Sequence, residues 1–101
     1  MKRMVYVEYL SKSLDQQLRR NILSYRKWTD RLSQETYPQL KERCVQEIIE
    51  VKARIDEDIY LLQLMGFGML IKETCLEMKY PVPDLEPELT RNANAHTQIY
   101  N

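Results

Sequence analysis

The chain has little of what strands and turns require, with two glycines and four prolines in 101 residues. An all-β protein reverses direction often, and its turns are built largely from glycine, proline, asparagine and aspartate. Leucine, glutamate, glutamine, lysine and arginine are frequent instead, and these residues favour helices. The composition therefore predicts an all-α protein.

The two cysteines and the single histidine exclude several kinds of site. Cys44 and Cys75 are too few and too far apart in sequence for a disulfide framework or a zinc site. His96 lies in the polar C-terminal segment, so the helical part offers no imidazole for acid–base catalysis. Neither glycine belongs to a nucleotide-binding loop. We expect a protein that is not an enzyme and that binds no metal or cofactor.

The longest apolar run, Ile59–Ile71, is also too short to cross a membrane. It spans 13 residues, whereas a membrane-spanning helix needs about 20. The first residues show neither an uninterrupted apolar stretch nor a small-residue cleavage site, so no signal peptide is predicted. These absences predict a cytoplasmic protein without a transmembrane segment.

Two features bound the first predicted helix. Ser13 and Gln16 have the spacing of a capping box, which indicates a helix start near Ser13. Apolar side chains then recur on one face, which predicts helix 1 at residues 13–33. The preceding segment, Met4–Leu10, has strand-like residues but no partner strand in the chain. It is either an extension of helix 1, which we favour, or an arm that pairs with another chain. The predicted face comprises Leu14, Leu18, Ile22, Tyr25 and Leu32, with Trp28 at its edge.

The second helix shows the most regular pattern. Thr36, Pro38 and Gln39 form a start signal, with Thr36 as the predicted N-cap. Apolar positions follow with an eleven-residue period of about 3.67 residues per turn, which predicts a nearly straight helix 2 at residues 37–65. A strict heptad seam would next require Asp58, which is charged. The apolar positions are Leu40, Cys44, Ile48, Val51, Ile55, Ile59, Leu62 and Gly66.

The Gly66–Gly68 segment has three interpretations. One glycine can close helix 2 in the left-handed conformation, the pair can form a close-packing notch within a longer helix, or the segment can be a hinge. Two glycines in a helix interior cost about 2 kcal/mol, which favours a break. A short third stripe of Ile71, Cys75 and Met78 then predicts helix 3 at residues 69–80, ending before Pro81.

These elements predict one helical domain at residues 1–80. Its fold would be an antiparallel helical hairpin with a short third helix, a small helical bundle. Residues 81–101 are acidic and proline-spaced, which predicts a disordered tail.

The predicted helix lengths leave the apolar run uncovered. The short connection makes helices 1 and 2 antiparallel, and a helix 1 that starts near Ser13 would cover helix 2 only to about Asp56. Met4–Leu10, helix 3 folding back or another polypeptide could cover it. Bare apolar surface of this size marks an interaction site, so we expect a dimer or a complex with a protein partner. This predicts a small adaptor, assembly factor or chaperone-like subunit that binds a partner helix or itself. The predicted interface residues are Leu61, Leu62, Met65, Phe67, Met69 and Leu70.

The charge distribution supports an alternative function. Residues 1–31 carry eight basic and three acidic side chains, and residues 35–60 carry four basic and seven acidic ones. Arg20, Lys27 and Arg31 share a helical face, with Tyr25 and Trp28 nearby as stacking groups. Such a row would suit phosphate contacts, which predicts a dimeric nucleic-acid-binding regulator. The competing interpretation is that these cations pair with the acidic side of helix 2.

Overall fold

The computed structural model describes residues 2–84, with side chains from Tyr6 onward, and forms three helices without a strand in that range. These are α1 (Lys2–Gln34), α2 (Pro38–Leu64) and α3 (Gly68–Glu77). α1 and α2 form an antiparallel hairpin, and α3 folds back against both. The predicted all-α fold, a hairpin with a short third helix, is confirmed for these residues. Most of the predicted tail lies outside the described residues, which end at Asp84.

α1 begins far earlier than the capping signal indicates. Its 33 residues span about 50 Å, and they include Met4–Leu10, which continues helix 1 and does not form an extended arm. Ser13 lies inside the helix and does not cap its start. Ser11 Oγ donates to the carbonyl oxygen of Glu8 at 2.8 Å, so a hydroxyl just before the predicted start is satisfied within the helix.

The connection to α2 does not use the predicted cap. The N-cap is Tyr37, in an extended conformation, and Pro38 occupies the first turn as expected. The extended conformation follows from Pro38, because proline disfavours a helical residue before it. Glu35 Oε1 accepts from the backbone amides of Thr36 at 3.2 Å and Tyr37 at 3.4 Å. The prediction of a Thr36 cap is therefore wrong.

A single glycine reverses the chain between α2 and α3. Gly66 has a φ of +86°. Its amide donates to the Gln63 carbonyl at 3.0 Å, and the Phe67 amide donates to the Leu62 carbonyl at 2.9 Å. These two bonds define a Schellman motif, which ends a helix by satisfying its last carbonyls. Of the three interpretations, the helix break is confirmed.

α3 ends with the same motif on a residue that is not glycine. Lys79 has a φ of 55°, and the Tyr80 amide donates to the Cys75 carbonyl at 2.9 Å. α3 therefore stops at Glu77, before the predicted end at residue 80. The Tyr80 ring then packs edge-on against Tyr25 of α1, with centroids 5.8 Å apart. This contact holds the end of α3 on the hairpin.

The core lies where the three helices meet, and it takes up much of the apolar run. Helix 1 was expected to leave this run bare, but the hydrogen bond between Asn21 and Asp58 places the end of α2 level with about residue 15 of α1, and α3 folds back. The run's need for an outside partner is therefore smaller than expected. The buried core comprises Leu18, Ile22, Val51, Ile55, Ile59, Leu62, Ile71 and Cys75. Half-buried side chains packed on it are Leu14, Tyr25, Trp28, Phe67, Leu70, Met78 and Tyr80.

The Gly66 reversal gives a test of the fold. A Cβ at Gly66 would meet no atom within 4 Å, so only the left-handed backbone opposes Gly66→Ala. We expect this variant to lose about 1–2 kcal/mol of unfolding free energy, measured by urea denaturation. Gly68→Ala is the matched control, because Gly68 has no positive φ and should be neutral or slightly stabilised. Equal effects of the two changes would contradict the assigned reversal.

Candidate protein-interaction site

Two cross-helix hydrogen bonds show that the first turns of α1 extend beyond the bundle. Asn21 Nδ2 donates to Asp58 Oδ2 at 2.7 Å, which aligns α1 and α2. With equal rise in both helices, the last residue of α2 lies opposite about residue 15 of α1. The Thr74 hydroxyl donates to Asp15, which places the start of α3 level with about residue 9. The turns before residue 9 have no described helix beside them.

A polar cluster joins α3 to α1. Thr74 is fully buried and donates its hydroxyl hydrogen to Asp15 Oδ1. Arg19 donates to the other oxygen of Asp15 at 3.0 Å and to Glu77 Oε2 at 2.8 Å. The hydrogen bond to Glu77, and then that to Asp15, raises the pKa of Arg19, and Arg19 in turn lowers the pKa of Glu77. The cluster fixes the position of α3 along α1.

Asp58 is a second polar group that sequence patterns assigned to the surface. It is 2% exposed and occupies the α2 position that the charge seemed to exclude from the core. Burial raises its pKa, the hydrogen bond from Asn21 opposes the shift, and the nearby Glu57 adds to it. Asn21 makes burial possible, because its hydrogen bond replaces one that the carboxylate loses with water. In the sequence, this burial was indicated only by position, since Asp58 lies three residues after Ile55 and so shares its face of α2.

The predicted interface residues separate into two groups. Leu62 is 0% exposed and lies in the core, so it cannot contact a partner of the folded chain. Phe67 and Leu70 are half-buried against the core, and Met65 is also half-buried. Leu61 and Met69 are exposed. Of the six predicted residues, the folded chain thus presents only Leu61 and Met69 as open surface.

The structure adds apolar residues from α1 that sequence reasoning did not include. Val7 lies seven residues before Leu14, so it continues the core face of α1. It is nevertheless exposed, as are Tyr6 and Tyr9, because α2 and α3 do not reach this part of α1. We define Tyr6, Val7, Tyr9 and Met69 as the bundle-end surface. The strand-like composition of residues 4–10 was the signal for it.

The basic residues of the alternative prediction are all on the surface. Arg20, Lys27 and Arg31 are exposed, and none forms an ion pair within the described residues. Pairing of these cations with the acidic residues of helix 2 is therefore not seen within the described residues. The Arg31 guanidinium lies over the Trp28 ring, 5.4 Å from its centroid. Leu23, which is also exposed, lies between Arg20 and Lys27 in sequence.

No helix in residues 2–84 combines the length and apolar character needed to cross a membrane. In the same range, no three histidine, cysteine, aspartate or glutamate side chains come close enough together to hold a metal ion.

The buried carboxylate predicts a pH-dependent stability. The pKa of Asp58 is raised above its ordinary 3.8, so the folded state binds this proton more tightly than the unfolded state does. The Asp58 contribution to unfolding free energy therefore falls as pH rises from 3.8 through the raised pKa. Asp58→Asn removes the charge and keeps an oxygen for Asn21. We expect it to be more stable than wild type at neutral pH, with a difference that shrinks as the pH approaches 3.8.

Asp56→Asn is the matched control, because Asp56 is exposed on the same helix. Urea denaturation across the pH range should place it within about 0.5 kcal/mol of wild type. An Asp58→Asn variant that is less stable at neutral pH, or whose difference from wild type does not change with pH, would contradict the assignment.

The bundle-end surface and the basic face are the two candidate sites, and comparison with known proteins does not choose between them. No protein-family model, no curated protein and no solved structure matches the chain.

Proposed function

We propose that the protein functions by binding another protein at the bundle-end surface, as a small adaptor or assembly subunit. The observation that carries this proposal is the exposed Val7. It lies on the face of α1 that forms the core further along the helix, yet it is 38% exposed and does not belong to the core. A partner helix laid beside α1 would continue the packing that α2 and α3 provide in the bundle.

The chemistry of the surface supports a protein partner. Tyr6 and Tyr9 are largely exposed, and tyrosine is among the residues that contribute most at protein interfaces. Burying a large apolar side chain fully contributes about 1.5–3 kcal/mol. Four such side chains at one end of the bundle form an apolar surface of the kind found at the centre of an interface with a polar rim. The partner we propose is an amphipathic helix with its apolar face towards Val7.

Affinity capture with matched variants tests this proposal. Met69 and Leu76 both lie on α3 and are 67% and 63% exposed, but only Met69 belongs to the bundle-end surface. The protein, immobilised, is exposed to extract from its source cells, and captured proteins are quantified by mass spectrometry. We expect Met69→Glu combined with Val7→Glu to reduce the captured partner at least about tenfold. Leu76→Glu should retain it.

The outcome is decided by the comparison of variants. Recovery of the same proteins in the same amounts by wild type and both variants would show that the bundle-end surface is not used. Circular dichroism should give equal helix content for all, because the substituted side chains are exposed.

A second candidate function rests on the basic face. Arg20 and Lys27 have no ion-pair partner in the described part of the chain, so their charge is available to phosphates. Arg31 stacks on Trp28, which gives the cation a fixed place beside an aromatic ring. These features support nucleic-acid binding through α1, as a competitor to the protein-binding proposal.

Binding to duplex and single-stranded DNA at several salt concentrations tests this second function. If the basic face binds phosphates, affinity falls steeply with salt, and the double change Arg20→Ala and Lys27→Ala lowers the slope by about two. Lys72→Ala is the control, because Lys72 is an exposed cation on α3. No affinity at low salt, or a slope unchanged by the double variant, would exclude the basic face.

A further inference from the structure

The outward side of α2 carries a second apolar stripe that is separate from the core. Val45, Ile49, Tyr60 and Leu64 are all exposed. At 3.6 residues per turn these positions lie within about 100° of one another, on the side of α2 opposite its core face. We call these four residues the outer stripe. It extends over about 28 Å of helix, and no described helix covers it.

The spacing of the four residues in the outer stripe is symmetric about its midpoint. Val45 and Ile49 are four residues apart, as are Tyr60 and Leu64, and both pairs are equally distant from the point between Arg54 and Ile55. If two copies of α2 lie antiparallel about that point, Val45 comes level with Leu64 of the second copy. Ile49 then comes level with Tyr60. Such a self-complementary surface is what a two-fold symmetric dimer requires.

The charges beside the stripe favour the antiparallel arrangement. Lys52 and Asp56 are exposed, and neither has an ion-pair partner in the part of the chain that the structure covers. In the antiparallel pair Lys52 comes within one residue of Asp56 of the second copy, on the same side of the stripe. In a parallel pair each would lie beside its own counterpart, and like charges would repel. Opposite charges near the two-fold axis thus select one orientation.

The centre of the stripe allows the helices to approach closely. Ala53 is exposed between Ile49 and Tyr60 on this side of α2, and small residues at a crossing point let two helices pack at short distance. We propose that the protein forms an antiparallel homodimer through the outer stripe of α2. This surface is distinct from the bundle-end surface, so the dimer leaves the proposed partner site open.

Light scattering after size exclusion tests the dimer. We load the protein at about 100 µM, because interfaces with few large anchors dissociate in the micromolar range. Wild type should have twice the mass of one chain, and Ile49→Glu should have the mass of one chain. Leu23→Glu is the matched control, because Leu23 is 54% exposed and Ile49 is 56% exposed. It should remain a dimer.

A charge exchange tests the pairing. Lys52→Glu places like charges beside each other in the antiparallel dimer, so its dissociation constant should rise at least about tenfold. Adding Asp56→Lys to that variant restores opposite charges on the same side of the stripe, and the dissociation constant should return towards that of wild type. Failure of the second change to restore the dimer would overturn the proposed pairing.

Disulfide formation tests the orientation. Ile49→Cys and Tyr60→Cys chains, mixed under mild oxidation, should form the mixed disulfide. Two Cys substitutions at position 49 would lie about 16 Å apart along the axis, so that pair should not form. Cys44 and Cys75 are free and buried, and wild type without added cysteines is the control.

The outcomes decide for or against this dimer. A wild-type monomer at every concentration, a dimer that survives Ile49→Glu, or cross-links only between two copies of position 49 would each overturn it. Met69→Glu should leave the mass unchanged, because Met69 lies outside the outer stripe. A dimer that Met69→Glu dissociates while Ile49→Glu does not would place self-association on the bundle-end surface and would overturn the proposal. If Met69→Glu with Val7→Glu loses the captured partner and keeps the mass of a dimer, both the partner site and the dimer are supported.

Discussion

The left-handed conformation of Gly66 is the constraint on which the rest of the structure depends. It turns the chain by a Schellman motif directly after α2, so that α3 returns along the hairpin and does not continue away from it. Leu62 and Ile71, on the two sides of this turn, thereby enter one core. A helix continued through Gly66 would have carried Ile71 past the end of the bundle. Through this one backbone conformation the two ends of the apolar run, Ile59 and Ile71, are buried in the same core.

The periodic positions of the core were predictable from sequence, whereas the ends of the helices were not. Apolar side chains at helical spacing identify a buried face directly, and Leu18, Ile22, Val51 and Ile55 are buried as that spacing indicates. A capping box is only a local hydrogen-bonding option, and Ser13 has an uninterrupted helix on both sides. The turns before Ser13 carry α1 past the end of α2, which the hydrogen bond between Asn21 and Asp58 places level with about residue 15. The bundle-end surface follows from it.

Buried polar groups and outward apolar groups escaped sequence reasoning for one physical reason, which is that both depend on neighbours distant in the chain. Asp58 is buried because Asn21, 37 residues away, donates to it, and Thr74 is buried because Asp15, 59 residues away, accepts from it. The outer stripe became visible only once the packed side of α2 was known. Of the predicted interface, Leu61 and Met69 stayed on the surface because they lie beside the core face and not on it.

The placement of the two cysteines has a consequence for the dynamics of the fold. Cys75 lies on α3 and Cys44 lies on α2, and both are buried. α3 is the shortest helix and is joined to α2 by a short turn, which is typical of an element that opens without unfolding the rest. Such an opening would uncover the Cys75 thiol and leave Cys44 within the hairpin. Reaction of Cys75 without Cys44 would therefore indicate opening of α3 alone, and reaction of both thiols would indicate opening of the whole bundle.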